Sequence, residues 1–436
     1  MAYDIIIGRD KSDKAKFGSK GLINIGKGYV KMGNYTSLSN RIWMDVARSH
    51  VILVAGKRGG GKSYSLSVIA EELSCLPQEE AKNISSLIFD TMGIFWTMKY
   101  ENEKDSELLK EWGLEPKKLP VKVFIPFGKA QEYEKKLIPF DETFALKSSE
   151  LNPEDWITIF KLELTSLVGV LIERVINKLK ISEGSFTIKD IQEEIEKDSK
   201  ANKESKEIAF SLFGAADSWG VFSKTLEGTQ VTDLITPGTT NILDISVYSS
   251  ISAFNIRALV ISLVSRKLFT ERMDARKKEE LESLRHGQDY LSYKSTREIP
   301  LLWLFIDEVH EFLNKEEKTP ATDALIQLLR EGRQPGISLV MATQQPGKLH
   351  SDALSQADIV ISHRVTAKPD VEALNEIMQT YLLQSIKKAI DDLPSLKGSA
   401  IILDDNSERL YPIRIRPKFT WHGGEAPAAV RIETQL

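Results

Sequence analysis

The sequence predicts an α/β chain: a mostly parallel sheet, a helical insertion and a small N-terminal β element. Three observations carry this. Short apolar runs recur through most of the chain, separated by helical stretches or long connections, as right-handed crossovers require. Between about residues 140 and 230 that strand signal gives way to helical patterning. Ahead of residue 49, short segments are punctuated by turn residues.

The N-terminal segments are Asp4–Ile7, Gly21–Ile25, Tyr29–Met32 and Arg41–Val46, with Gly26, Gly28, Gly33 and Asn34 read as turns. Val51–Ala55 is a continuous apolar run, followed by a glycine-rich turn and helical periodicity over Ser63–Leu76. Further runs lie at Ser86–Phe89, Val121–Ile125, Asn241–Ile245, Leu301–Ile306, Ser338–Ala342, Ile359–Ser362 and Ala400–Leu403. Several are unbroken, which suits strands buried on both faces. In the insertion, Asn152-Pro153 reads as a cap with proline at the first helical position, and Thr187 with Asp190 reads as a capping arrangement. Lys197–Lys206 reads as a solvated linker and Gly287–Glu298 as an exposed loop. The units expected are 1–48, 49–139, 140–230, 231–420 and an extended tail at 421–436.

Composition narrows the function classes. The chain has 436 residues, 42% hydrophobic and 28% charged, which excludes a disordered or collagen-like chain. Lys plus Arg is 58 against 62 for Asp plus Glu, a net charge of −4. That excludes a globally basic nucleic-acid coat but not a local basic channel. A single cysteine, Cys75, excludes an internal disulfide and a multi-Cys zinc site, and fits a reducing compartment. It reads as a small buried hydrophobe on a helix. The apolar stretches at 163–177 and 254–270 carry Glu173, Arg174, Arg257 and Arg266, so they read as buried helices and not as membrane spans. The start of the sequence lacks a basic lead and a long apolar core, so no secretory signal is expected and the expected address is the cytoplasm.

Gly56-Lys57-Arg58-Gly59-Gly60-Gly61-Lys62-Ser63 matches G-x-x-x-x-G-K-[ST] between a strand and a helix. Glycines let backbone N–H groups turn inward around phosphate oxygens. Lys62 supplies a cation for the β/γ phosphates, Ser63 a hydroxyl for Mg²⁺, and the helix N-terminus faces the anion. The candidate ATP-binding set is Gly56, Lys57, Arg58, Gly59, Gly60, Gly61, Lys62, Ser63 and Tyr64. The strand Leu301–Ile306 ends in Asp307 and Glu308, where ligands gather on an α/β sheet. Asp307 would orient Mg²⁺; Glu308 would polarise the attacking water. Alternatively the two acids cap a helix beginning at Glu308. His310 reads as structural or solvent-facing. Gln344, at the end of the next strand, would bond the γ-phosphate or the water, or is a plain loop amide. Arg330 and Arg333 are either helix-end cations complementing the dipole or fingers offered to a neighbouring subunit.

Three stretches, HVILVAGKRGGGKS, LLWLFIDEVHEF and LREGRQPGISLVMATQQPGKLHSDALSQADIVISHRV, resemble the HerA/FtsK superfamily of ring-forming DNA-pumping ATPases, and most of all archaeal HerA. Residues 234–269 and SLIFDTMGIFW at 86–96 are similar to it as well. The resemblance implies a RecA-like P-loop NTPase core, a barrel-like N-terminal element, a hexameric ring with ATP and Mg²⁺ between subunits, DNA in the central pore, and a docked NurA-type nuclease. It implies Gln344 as γ-phosphate sensor and Arg333 as the finger acting in trans. Where the family carries an acidic residue after the glycine of its second strand motif, this chain has Ile94; Arg48 or His50 stands in for a basic residue ahead of the phosphate loop. Arg285, Lys294 and Arg297, with Tyr290 and Tyr293, are read as a pore loop or a solvated loop. A secretion- or conjugation-type coupling ATPase and a non-translocating NTP-dependent scaffold are the competing readings. An ABC transporter ATPase is disfavoured by the lack of an L-S-G-G-Q segment.

Overall fold

The computed structural model describes residues 4–32, 35–249, 254–286, 297–378 and 386–425. Its strands are β1 (Ile5–Ile7), β2 (Leu22–Met32), β3 (Tyr35–Asp45), β4 (Val51–Ala55), β5 (Ile84–Asp90), β6 (Val121–Pro126), β7 (Glu142–Phe144), β8 (Thr240–Asp244), β9 (Leu301–Ile306), β10 (Ile337–Thr343), β11 (Ile359–Ser362), β12 (Ser399–Asp404) and β13 (Arg409–Ile415). All belong to one sheet in the order β1-β3-β2-β13-β12-β11-β4-β10-β9-β5-β8-β6-β7. From β11 to β7 neighbouring strands are parallel; β12, β13, β2 and β3 pair antiparallel.

The eight apolar runs are strands because both their faces are covered. Along β4, Leu53 and Ala55 point into one buried cluster and Ile52 and Val54 into the other. One face is covered by the helix Lys62–Ser74, through Leu66, Ile69 and Leu73. The other is covered by the 33-residue helix Phe254–His286 and by the insertion. The insertion holds helices Pro153–Ile159, Leu167–Ser182, Ile188–Lys197 and Lys203–Ser218. Trp156 lies at its centre, stacked on Phe160 at 5.6 Å and edge-on to Phe213 at 4.9 Å. Asn152 and Thr187 both cap their helices, each in a capping box. No helix among the described residues is long and apolar enough to cross a membrane. The charges inside the apolar helix are paired: Arg266 with Asp155, and Arg257 with Glu311.

Four expectations change. The N-terminal strands do not close on themselves as a barrel; β2 joins β13 and extends the main sheet. The segments Gly21–Ile25 and Tyr29–Met32 are one strand. Gly26 and Gly28 mark bulges, and a Cβ on Gly26 would meet the Arg414 carbonyl oxygen at 2.2 Å, so that glycine is a close approach and not a turn. Cys75 is exposed at the C-cap of the helix Lys62–Ser74. Arg48 and His50 cannot serve the phosphate loop. They sit at the opposite end of β4, where Arg48 bonds Asp13 and His50 lies between Asp45 and Asp358. Gly33, Asn34, Tyr290, Tyr293, Lys294 and 426–436 lie outside the described residues.

Candidate functional site

β4 delivers the glycine loop to the carboxyl ends of the parallel strands, between β10 and β11. Backbone bonds fasten it on both sides: Gly56 N–H to the Thr343 carbonyl at 3.2 Å and Lys57 N–H to the Arg364 carbonyl at 3.0 Å. The loop closes on itself through Gly60 N–H to the Lys57 carbonyl at 2.9 Å. Gly61, at φ 103°, occupies a backbone region that L side chains rarely adopt. A Cβ on Gly56 would meet the Cβ of His363 at 2.8 Å. His363 stands directly after β11 and braces the loop. Its Nδ1 faces the Ser399 carbonyl at 3.1 Å and its Nε2 meets the Ser65 hydroxyl at 2.8 Å. A carbonyl only accepts, so Nδ1 carries the proton and Nε2 accepts from Ser65. Burial holds the ring neutral, with a pKa lowered to about 4.

Lys57, Arg58 and Gly59 are exposed at the loop tip, while Lys62 is buried. Ser63 donates to the buried Asp307 carboxylate at 2.5 Å. Burial raises the Asp307 pKa, against the Ser63 hydrogen bond and the Lys62 charge. The chain turns sharply here: Glu308 sits in the left-handed region at φ 51°, which is strained for a residue with a Cβ. The short turn Val309–Glu311 follows, in place of a longer helix.

Glu308 is largely buried, and its Oε2 has no hydrogen-bond partner. His310 Nδ1 lies 3.5 Å from that atom, beyond a good hydrogen bond, and is engaged by the Thr343 hydroxyl at 3.2 Å. Burial pushes the Glu308 pKa up to about 7. The neighbouring Asp307 charge adds to this, and Lys62 and the Gln344 backbone N–H oppose it. His310 is pushed down to about 4, first by burial and then by Lys348 and Lys62. An orphaned carboxylate oxygen inside a protein costs about 1–3 kcal/mol or more. Its charged neighbours are Asp307 and Lys62, and Gln344, whose backbone N–H acts on the same carboxyl, is half-exposed.

A second network holds the helix that follows the loop. Glu71 is fully buried and receives the Arg416 guanidinium at 3.0 Å, the N–H groups of Phe419 at 3.1 Å and Thr420 at 2.9 Å, and the Thr420 hydroxyl at 2.5 Å. This ties the C-terminal strap Arg416–His422 across the helix. Tyr64 belongs to the strap: its hydroxyl accepts from the Lys418 N–H at 2.6 Å and its ring meets His422 edge-on at 5.2 Å. Burial lowers the Lys418 pKa to about 8.

The remaining predicted residues are further away. Arg333 is exposed, four residues ahead of β10 and so at the opposite end of the strand from Gln344, about 20 Å away over seven residues. It forms no ion pair among the described residues, whereas Arg330 pairs with Asp352 at 2.7 Å. Sequence reasoning missed His363, Thr343, Glu71 and the Arg257–Glu311 pair. Only Arg257 left a signal, a charge inside an apolar helix.

Fold and site together define a P-loop nucleotide-binding core on a RecA-like sheet. The sequence profile of the family described as "Helicase HerA, central domain" matches residues 30–268. The chain belongs to that family and is a P-loop ATPase of the HerA/FtsK type. It is 28% identical over 181 residues to the DNA double-strand break repair helicase HerA of Pyrococcus furiosus, covering 39% of this chain and 31% of that one. It is 31% identical over 101 residues to the probable DNA double-strand break repair helicase HerA of Methanocaldococcus jannaschii, covering 23% and 19%. The matched segments thus span less than a third of each curated relative. Among solved structures, VirB4 of Thermoanaerobacter pseudethanolicus shares the fold, with a TM-score of 0.56 at 12% identity, covering 92% of this chain and 97% of that one.

Proposed function

We propose that this chain is an ATP-driven DNA translocase of HerA type, working as a hexameric ring in DNA end processing with a NurA-type nuclease partner. The observation that carries this reading is the Glu308 carboxylate oxygen, buried and unpartnered, beside a Ser63–Asp307 pair at the mouth of a phosphate loop. Lys62 and the loop N–H groups hold the β and γ phosphates, with Gly56 to Ser63 as the cradle and Tyr64 at its edge. Ser63 and Asp307 are hard oxygen donors that fit Mg²⁺, which neutralises phosphate charge when bound. Glu308, poised near neutrality, accepts a proton from the attacking water, and Gln344 positions that water against the γ-phosphate. Arg333, far from its own loop and unpaired, suits the site of an adjacent protomer, where such a finger is worth about 10³–10⁵ in rate. Turnover then moves pore loops along the DNA backbone, without sequence preference.

The decisive experiment is Glu308→Gln. The variant retains ATP and DNA binding and loses turnover; full ATPase activity in it would remove the assigned role. A coupling ATPase of secretion or conjugation type would use the same hydrolytic residues, and a scaffold would hydrolyse without moving anything. Stimulation of turnover by DNA supports the first reading over both.

A further inference from the structure

We propose that the outer sheet carries a docking surface for the phosphodiester backbone of DNA, built by Lys27, Arg41 and Arg414 around Trp112. Three adjacent strands place these cations in one row: Arg414 of β13 is directly opposite Lys27 of β2, and Lys27 is directly opposite Arg41 of β3. Side chains directly opposite one another share a face and stand about 5 Å apart. Like charges so placed destabilise a sheet, so strand pairing gives no reason for the row. An anion lying across it does.

The surroundings favour the same ligand. Lys27 Nζ lies 4.6 Å from the centre of the Trp112 ring and the Arg414 guanidinium 6.0 Å from it, so the indole holds both heads on one platform. Arg414 Nε also donates to the Lys397 carbonyl at 3.4 Å, bringing the exposed Lys397 to the rim. None of Lys27, Arg41, Arg414 and Lys397 forms an ion pair among the described residues. Surface cations elsewhere such as Lys99, Lys122, Arg174 and Lys224 do. Glu72, which accepts the Asn24 N–H of β2 at 3.2 Å, is taken by the buried Arg416 at 2.7 Å. Glu111 and Glu115 flank Trp112 in sequence, and neither forms an ion pair with the row among the described residues. On a chain of net charge −4 this concentration is local. Fixed cations at strand spacing, with no donor pattern for base edges, recognise a phosphate backbone and not a sequence.

The surface rests on the reading of this chain as a DNA-handling ATPase, and extends it to the outer strands β13, β2 and β3. The test combines Lys27→Gln, Arg41→Gln and Arg414→Gln, made also in the Glu308→Gln background so that binding is read without turnover. Affinity for a labelled DNA duplex should fall roughly tenfold or more, and the slope of log K against log salt should shrink by about 2 to 3, near 0.9 per lost phosphate contact. Nucleotide hydrolysis without DNA should be unchanged. The melting temperature should hold or rise, because like charges are removed, whereas a purely structural row would lower it. Lys189→Gln with Lys203→Gln, exposed on the insertion, should alter neither affinity nor slope. Unchanged DNA affinity and slope in the triple variant overturn the surface. So does loss of adsorption to phosphatidylserine vesicles with DNA binding intact, which would make the partner a membrane. If the parent protein binds no DNA at all, the functional reading falls as well; if the parent binds and the triple variant matches it, the surface alone falls.

Discussion

The parallel strands β11, β4, β10 and β9 have a charged cluster at each end, and the two are built differently. At the amino end, His50 lies between Asp358 at 2.6 Å and Asp45 at 3.1 Å, and Asp45 also takes the Arg9 guanidinium at 2.6 Å. The remaining Asp358 oxygen accepts the Val51 N–H at 2.9 Å. Every polar atom there has a use within the fold. At the carboxyl end, Glu308 keeps an oxygen with no partner and a backbone angle that favours glycine. Both clusters pay the desolvation penalty of buried charge. Only the first recovers it internally. The second leaves Glu308 Oε2 open, as the role proposed for it in hydrolysis requires.

The sharpest way to break this contrast is to neutralise each end. Glu308→Gln should lower turnover by about 10²–10⁴, while the melting temperature falls no lower than the parent's, because an orphaned charge is removed. A clear loss of stability would mean that Glu308 is structural after all. His50→Ala should do the reverse. Removing the cation from the buried Asp45, which keeps Arg9, and from the half-exposed Asp358 is expected to cost on the order of 3 kcal/mol in chemical denaturation, with turnover per folded molecule unchanged.

The amino-end cluster also predicts a pH dependence. Burial alone would lower the His50 pKa, but Asp358 and then Asp45 more than reverse this and raise it to about 9 from 6.5. The folded value lies above the unfolded one. The stabilisation is therefore complete below pH 6.5 and is lost as pH rises towards 9, by at most about 1.4 kcal/mol per pH unit. Denaturation curves collected across that window should show the decline, and His50→Ala should flatten it. The smallest effect is expected for Arg330→Ala. Its exposed pair with Asp352 should contribute less than about 1 kcal/mol, and a larger loss would show that surface pairing matters more here than solvent screening allows.

Local chemistry decided what could be read from the sequence. The eight apolar runs were legible because strands buried on both faces leave no alternation to misread. β13 was not, because Pro412 and the charges of Arg409 and Arg414 interrupt its apolar pattern. The structure tolerates that proline because pairing with β2 begins only at Ile413. The phosphate loop and the Asp307–Glu308 pair were legible because each is contiguous. His363 with Ser65, Thr343 with His310, and Glu71 with Thr420 were not, because each pair meets only through the sheet order or the final strap, across up to 349 positions.

That strap has a further consequence. Loss of the chain after Ile415 would leave the buried Glu71 carboxylate with none of its four donors, on the very helix whose first turn presents Lys62 and Ser63. The closing residues of the described chain thus act as a latch on its chemistry, and damage near residue 420 would be felt at residue 62.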